Sequence, residues 1–153
     1  MDLPEDVHVT LWQRVQQCVT GGMFCWNKEI QKELDSIYGP TGNCLRACNG
    51  SCCYEVGAGS WAWQDYIATF ETMRIKYTPY ISEYNGNRKD TVGINDVSIV
   101  SFAKIMNLPL LSMEKPNRGQ PSQKKMRIPD ICAAENVKHV NFTQFLRAEG
   151  IKI

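Results

Sequence analysis

Thr91–Lys115 reads TVGINDVSIVSFAKIMNLPLLSMEK, and its two halves decide the fold. Val92-Gly93-Ile94-Asn95 leads to Asp96, after which Val97, Val100, Phe102, Ala103 and Met106 mark a helix with a buried face. Asn107 closes that helix. Pro109-Leu110-Leu111-Ser112-Met113 then reads as a short apolar strand, and Glu114 follows it directly. A helix running into a short buried strand is the unit from which an α/β layered fold with a parallel sheet is built.

The same alternation extends outward. Toward the N-terminus, the long helix from Trp61 to about Tyr77 carries Trp63, Tyr66, Ile67, Phe70 and Met73. Ser60 is its expected cap, and Pro79 breaks it. Glu83–Asp90 (EYNGNRKD) is a polar loop. Residues 7–19 read as a helix with Leu11, Trp12, Val15, Cys18 and Val19 on one face, ended by Gly21-Gly22. Met23–Trp26 is an apolar strand. Asn27 caps a helix over about 28–38 that turns Ile30, Leu34, Ile37 and Tyr38 inward, and Gly39-Pro40 stops it. Residues 39–60, rich in glycine, cysteine and asparagine, are expected to form a loop or insertion. On the C-terminal side, 115–127 is a basic loop, Ile128-Pro129-Asp130 opens a short helix, Val137–Val140 is a third strand, and Asn141 caps a last helix. Three short strands make a thin sheet for so many helices.

The chain has 153 residues, 43% of them apolar and 22% charged, which suits one packed domain over 1–153 and excludes a disordered chain. A net charge of +1 gives no reason to expect wholesale electrostatic binding of nucleic acid. No apolar run reaches the roughly 18 residues of a membrane helix, and Met1–Asp6 lacks the pattern of a signal peptide, so a cytoplasmic protein is expected. Seven cysteines are then expected as thiols. Cys44, Cys48, Cys52 and Cys53 crowd one segment, where a zinc site, a reversible disulfide and an ordinary loop are the alternatives. The spacing disfavours zinc, because adjacent Cys52 and Cys53 point in different directions.

No Gly-x-Gly-x-x-Gly loop, phosphate-binding Gly-Lys-Ser/Thr motif or nucleophile elbow is present. His8 and His139 are the only histidines, at a helix start and a strand flank. The acidic residues carry more. Ligands of a parallel sheet gather at the carboxyl ends of its strands. Glu33 lies just beyond the first strand, a helical turn after Glu29; Asp96 opens a helix; Glu114 ends the second strand. Together Glu33, Asp96 and Glu114 are candidate ligands for a Mg2+ or Mn2+ ion, because crowded carboxylates repel unless a cation separates them. Such an ion can activate water against a phosphodiester. The alternative for each is a local structural role, as in Asp96 stabilising the positive end of its helix. Lys115, Arg118, Lys124, Lys125 and Arg127, with no acidic residue among them, are the candidate phosphate contacts.

Thr91–Lys115, Lys125–Cys132 (KMRIPDIC) and Val137–Leu146 (VKHVNFTQFL) together resemble the C-terminal half of a PIN-like domain, in a branch related to VapC-type toxin ribonucleases. Residues 4–34 also fit, with Glu33-Leu34 matching the Glu-Leu after the second strand. The resemblance implies a three-layer α/β/α fold and a metal-dependent endoribonuclease, with Glu33, Asp96 and Glu114 as metal ligands. It also implies RNA as substrate and an antitoxin protein as partner. Such domains begin with a central strand ending in Asp-Thr/Ser-Asn, which has no counterpart here. The resemblance therefore leaves open a degenerate, catalytically inactive binding or assembly module. A sheet without its middle strand exposes backbone donors and acceptors, so a homodimer is expected.

Overall fold

Apolar spacing and glycine breaks place most of the helices, and the computed structural model describes them for residues 3–117 and 125–152. The chain forms two compact units, one from residues up to Gly59 with those from Leu146 onward, the other from Ser60–Phe145. It is a mixed α/β chain, mainly helical, with two separate two-stranded parallel sheets among the described residues.

In the first unit, α1 (Val9–Thr20) buries Leu11, Val15 and Val19, the face its spacing predicts. The strand expected at 23–26 is shorter and later: β1 is Trp26–Asn27. Asn27 is fully buried, and its side chain accepts the Ile30 N–H at 3.1 Å, capping α2 (Lys28–Leu34). Inside this cap, Trp26 Nε1 donates to Gln31 Oε1 at 2.6 Å, and Gln31 Nε2 donates to Asp35 Oδ1 at 2.8 Å. The chain leaves the helix after Leu34, so Ile37 and Tyr38 are exposed rather than turned inward.

Residues 39–60 correct the sequence reading. They are not simply a loop but hold α3 (Gly39–Ala47), α4 (Asn49–Cys52) and β2 (Cys53–Tyr54), which pairs with β1 in the register Trp26↔Cys53 and Asn27↔Tyr54. Poor intrinsic helix formers are overruled here by packing. Pro40 starts the helix instead of stopping one, a position where its missing N–H costs nothing. Thr41, Gly42 and Leu45 are buried as α3 packs on α1. A β-carbon on Gly42 would lie 2.0 Å from the Ile37 carbonyl oxygen. Arg46 donates to that same carbonyl at 2.7 Å, so the turn before α3 is fixed from both sides.

The second unit packs α5 (Trp63–Lys76) against α7 (Ile94–Met106). Between them lie a 3₁₀ turn (Thr78–Tyr80) and α6 (Ser82–Asn85). The long helix begins at Trp63 with Ala62 at its cap, not at Trp61 capped by Ser60. Trp61 instead packs its ring on Tyr66 and Phe102, at 5.4 and 5.5 Å between centroids. The core joins Met73, Val97, Val100, Ile131 and Cys132. β3 (Leu110–Leu111) runs parallel to β4 (His139–Val140), with Leu110↔His139 and Leu111↔Val140 in register. α8 (Ile128–Ala134) connects them, and α9 (Phe142–Ala148) follows.

At the C-terminal ends of α5, α7 and α8, one carboxylate joins all three. Glu135 caps α8 and is 7% exposed; it accepts from Lys76 Nζ at 2.7 Å, Lys104 Nζ at 3.0 Å and Tyr77 OH at 2.6 Å. Burial alone would raise its pKa, but the three donors outweigh it and hold the group down at about 2. Burial and the Glu135 carboxylate push the Tyr77 hydroxyl up to about 12.

Two outcomes follow. Gly42→Ala should destabilise the first unit by roughly 2 kcal/mol or more, because the new methyl meets backbone rather than a movable side chain; urea denaturation checks it. Glu135 has a folded pKa below its ordinary 4.5, so its stabilising effect is complete above that value and fades as pH falls toward about 2. Acid denaturation followed by circular dichroism should show that loss, on the order of 2 kcal/mol, and Glu135→Gln should flatten it.

Candidate functional site

α7 and α8 begin in the same way. Each has an isoleucine at its first position, and each N-terminus receives two carboxylates. At α7, Asp96 Oδ2 accepts the Gly93 N–H at 2.7 Å, and Glu83 accepts the Ile94 N–H at 3.0 and 3.2 Å. At α8, Asp130 Oδ2 accepts the Arg127 N–H at 2.9 Å, and Glu114 Oε2 accepts the Ile128 N–H at 2.9 Å. One carboxylate of each pair is local, three residues into its own helix, as in a capping box. The other is brought in from 11 or 14 residues upstream. The exposed N–H groups and the positive end of the helix favour both.

Two contacts link these N-termini and the segment after β3. Glu114 links that segment directly to α8. Asp90, in the segment leading to α7, forms a short ion pair with Arg127 Nη2 at the start of α8 and faces Lys125 Nζ at 3.6 Å. The Arg127 hydrogen bond holds the Asp90 carboxyl below its ordinary range. Across the sheet, Ser112 Oγ sits 2.8 Å from His139 Nε2 and accepts the Glu114 N–H at 3.3 Å. Burial pushes His139 below its ordinary pKa, with Glu114 opposing.

The residues singled out from sequence fall as follows. Asp96 and Glu114 stand in the second unit, each engaged with the N-terminus of a different helix. Glu33 stands on α2 in the first unit, exposed, and Glu29 one turn earlier pairs with Lys32 at 3.2 Å. Lys125 and Arg127 converge on Asp90, and Lys115 is exposed. Arg118 and Lys124 lie outside the described residues. Three carboxylates were not foreseen: Glu83 and Asp90, both inside the polar loop, and Asp130, whose place in Ile-Pro-Asp at a helix start was the one available signal.

Carboxylate oxygens are hard donors that suit Mg2+ or Mn2+. The donor chemistry fits such an ion, but the grouping falls short. Among the described residues, no three His, Cys, Asp or Glu side chains stand together so as to hold a metal. The same holds for Cys44, Cys48, Cys52 and Cys53, all of them free thiols. Cys52 is buried and points its sulfur at the Val19 carbonyl, at 3.8 Å.

No helix among the described residues is long and apolar enough to cross a membrane. One protein-family model matches residues 2–153; its description is a domain of unknown function. No curated protein and no solved structure matches the chain.

The double capping has a measurable consequence that needs no metal. Asp96→Ala and Asp130→Ala should each cost about 1 kcal/mol in urea denaturation carried out in EDTA. A loss-of-activity phenotype in either variant must be read against that cost.

Proposed function

We propose that this chain, which belongs to the DUF4411 family, is a PIN-like protein acting on RNA phosphodiesters with the help of a divalent ion. What supports the reading is one arrangement: Glu114 and Asp96, distant in sequence, accept N–H groups at the starts of α8 and α7, and Asp90, just before α7, ties those starts through the cationic Arg127 and Lys125. Negative side chains would draw the ion, and the basic residues would draw the phosphate. The ion, when bound, supplies an activated water and charge stabilisation. The chain's own part is to orient the two carboxylates through the backbone N–H groups whose hydrogen bonds they accept. In this reading the architecture is the three-layer PIN-like one, the cellular setting is the cytoplasm, and the partners are an antitoxin protein and a second copy of the chain.

A second reading has its own support. Asp96 and Glu114 already serve as helix caps, and no group of three potential ligands is gathered among the described residues. That favours a module that binds RNA or a protein partner without cleaving.

Cleavage separates the two. Purified protein incubated with single-stranded RNA and Mn2+ should cut it, and EDTA should stop the reaction. Asp96→Asn and Glu114→Gln should each lower the rate by roughly 100-fold or more while the folded state persists. Glu33→Gln reports whether that residue shares the chemistry. RNA that stays intact in Mn2+ while still binding the protein decides for the second reading.

A further inference from the structure

The cations that the proposed function assigns to phosphate are already engaged by a carboxylate of the same chain. Asp90 Oδ1 pairs with Arg127 Nη2, and its Oδ2 faces Lys125 Nζ at 3.6 Å. Both oxygens of one anion therefore face two cations, as two non-bridging oxygens of a phosphodiester would. Asp90 reaches this position from a left-handed backbone, with φ of 61°, in a loop where Gly86 and Asn87 also have positive φ. Around it, Thr91 Oγ1 donates to the Arg88 carbonyl at 2.6 Å, and the Arg88 N–H donates to Asn85 Oδ1 at 3.1 Å. The loop thus presents Asp90 while the exposed Arg88 and Lys89 stand beside it.

The ion pair is open to water. The Asp90, Arg127 and Lys125 side chains are 31, 35 and 55% exposed. Pairs so exposed are weak and screened by salt. A polyanion that releases counterions on binding can displace such a partner, whereas a buried bidentate pair would resist.

We propose that Asp90 is an internal stand-in for phosphate: it holds the Arg127–Lys125 pair in the free protein and leaves it when an RNA phosphodiester arrives. The inference rests on the reading of Lys125 and Arg127 as phosphate contacts. It makes RNA binding a competition, with the loop carrying Asp90 as the competitor.

The test is binding of a short, fluorescently labelled single-stranded RNA, followed by anisotropy in EDTA so that no cleavage intervenes. Asp90→Asn keeps the side-chain shape and tolerates a left-handed backbone. It should tighten binding about 3- to 10-fold. Glu71→Gln removes one negative charge elsewhere, from a pair with Arg74 on α5, and should change binding by less than about 2-fold. In the double variant Asp90→Asn/Arg127→Gln the gain, taken relative to Arg127→Gln alone, should shrink, because only Lys125 is then freed. Asp90→Gly, also suited to positive φ, gives the same test should the asparagine variant not fold. Binding by Asp90→Asn no tighter than by Glu71→Gln, or a gain undiminished by loss of Arg127, overturns the proposal. If Arg127→Gln still weakens RNA binding in that case, the phosphate reading stands and only the competition falls. If neither the natural chain nor Asp90→Asn binds RNA, both fall.

Discussion

Two helices in the second unit begin where backbone N–H groups would be left without partners, and carboxylates supply them. That constraint organises the unit. An unsatisfied N–H is costly when water is excluded, and the aligned peptide dipoles make each helix start an attractive place for negative charge. Because Glu114, three residues past β3, caps the helix that follows, the segment leaving the strand and the helix start are fixed relative to each other. Because Asp90 leads into α7 and pairs with Arg127 at the start of α8, the two helix starts are tied as well. A collection of acidic groups at one end of a small parallel sheet is thus a result of capping before it is anything catalytic.

The other end of the same helices is held by the opposite arrangement. Lys76 and Lys104, in the last turns of α5 and α7, carry positive charge where the helix dipole is negative, and both reach the buried Glu135. Glu135 itself caps α8 at the end where a negative charge is least favoured, so its ionised form depends on those two cations and on Tyr77. One end of the unit is therefore built around a fully engaged carboxylate away from bulk water. The other displays half-exposed carboxylates and cations whose pairings can be exchanged. That difference in burial is why ligand chemistry is sought at the helix starts and stability at the helix ends.

The candidate site was partly legible. Asp96 and Asp130 each stand three residues into a helix that the local pattern announced, and capping is a short-range property. Glu114 was legible near the end of an apolar strand, although the strand stops at Leu111 rather than Met113. Glu83 and Asp90 were not, since each acts on a backbone or side-chain group 11 or 37 residues away; the stretch reads as a polar loop with no periodicity, although Glu83 stands on the short helix α6. The fold shows the same division. The apolar faces of α1 and α7 follow from spacing, whereas α5 buries Tyr66 and Met73 and leaves Ile67 exposed. Residues 39–60 look like a loop because glycine, asparagine and cysteine carry weak helical preference, yet contact with α1 and pairing of β2 with β1 make them ordered helix and strand.

The amino-acid order alone determined which segments are apolar on one side, the approximate place of most helices, that the chain mixes helix with short parallel strands, and some of the acidic and basic residues that stand at the helix starts. Those properties depend on neighbours within a turn or two. Tertiary structure decided that the strands form two separate pairs, that each helix start takes a second carboxylate from a remote segment, and that Lys125 and Arg127 share Asp90. These are contacts between distant residues. Their energy depends on closing loops and excluding water, which no local pattern encodes.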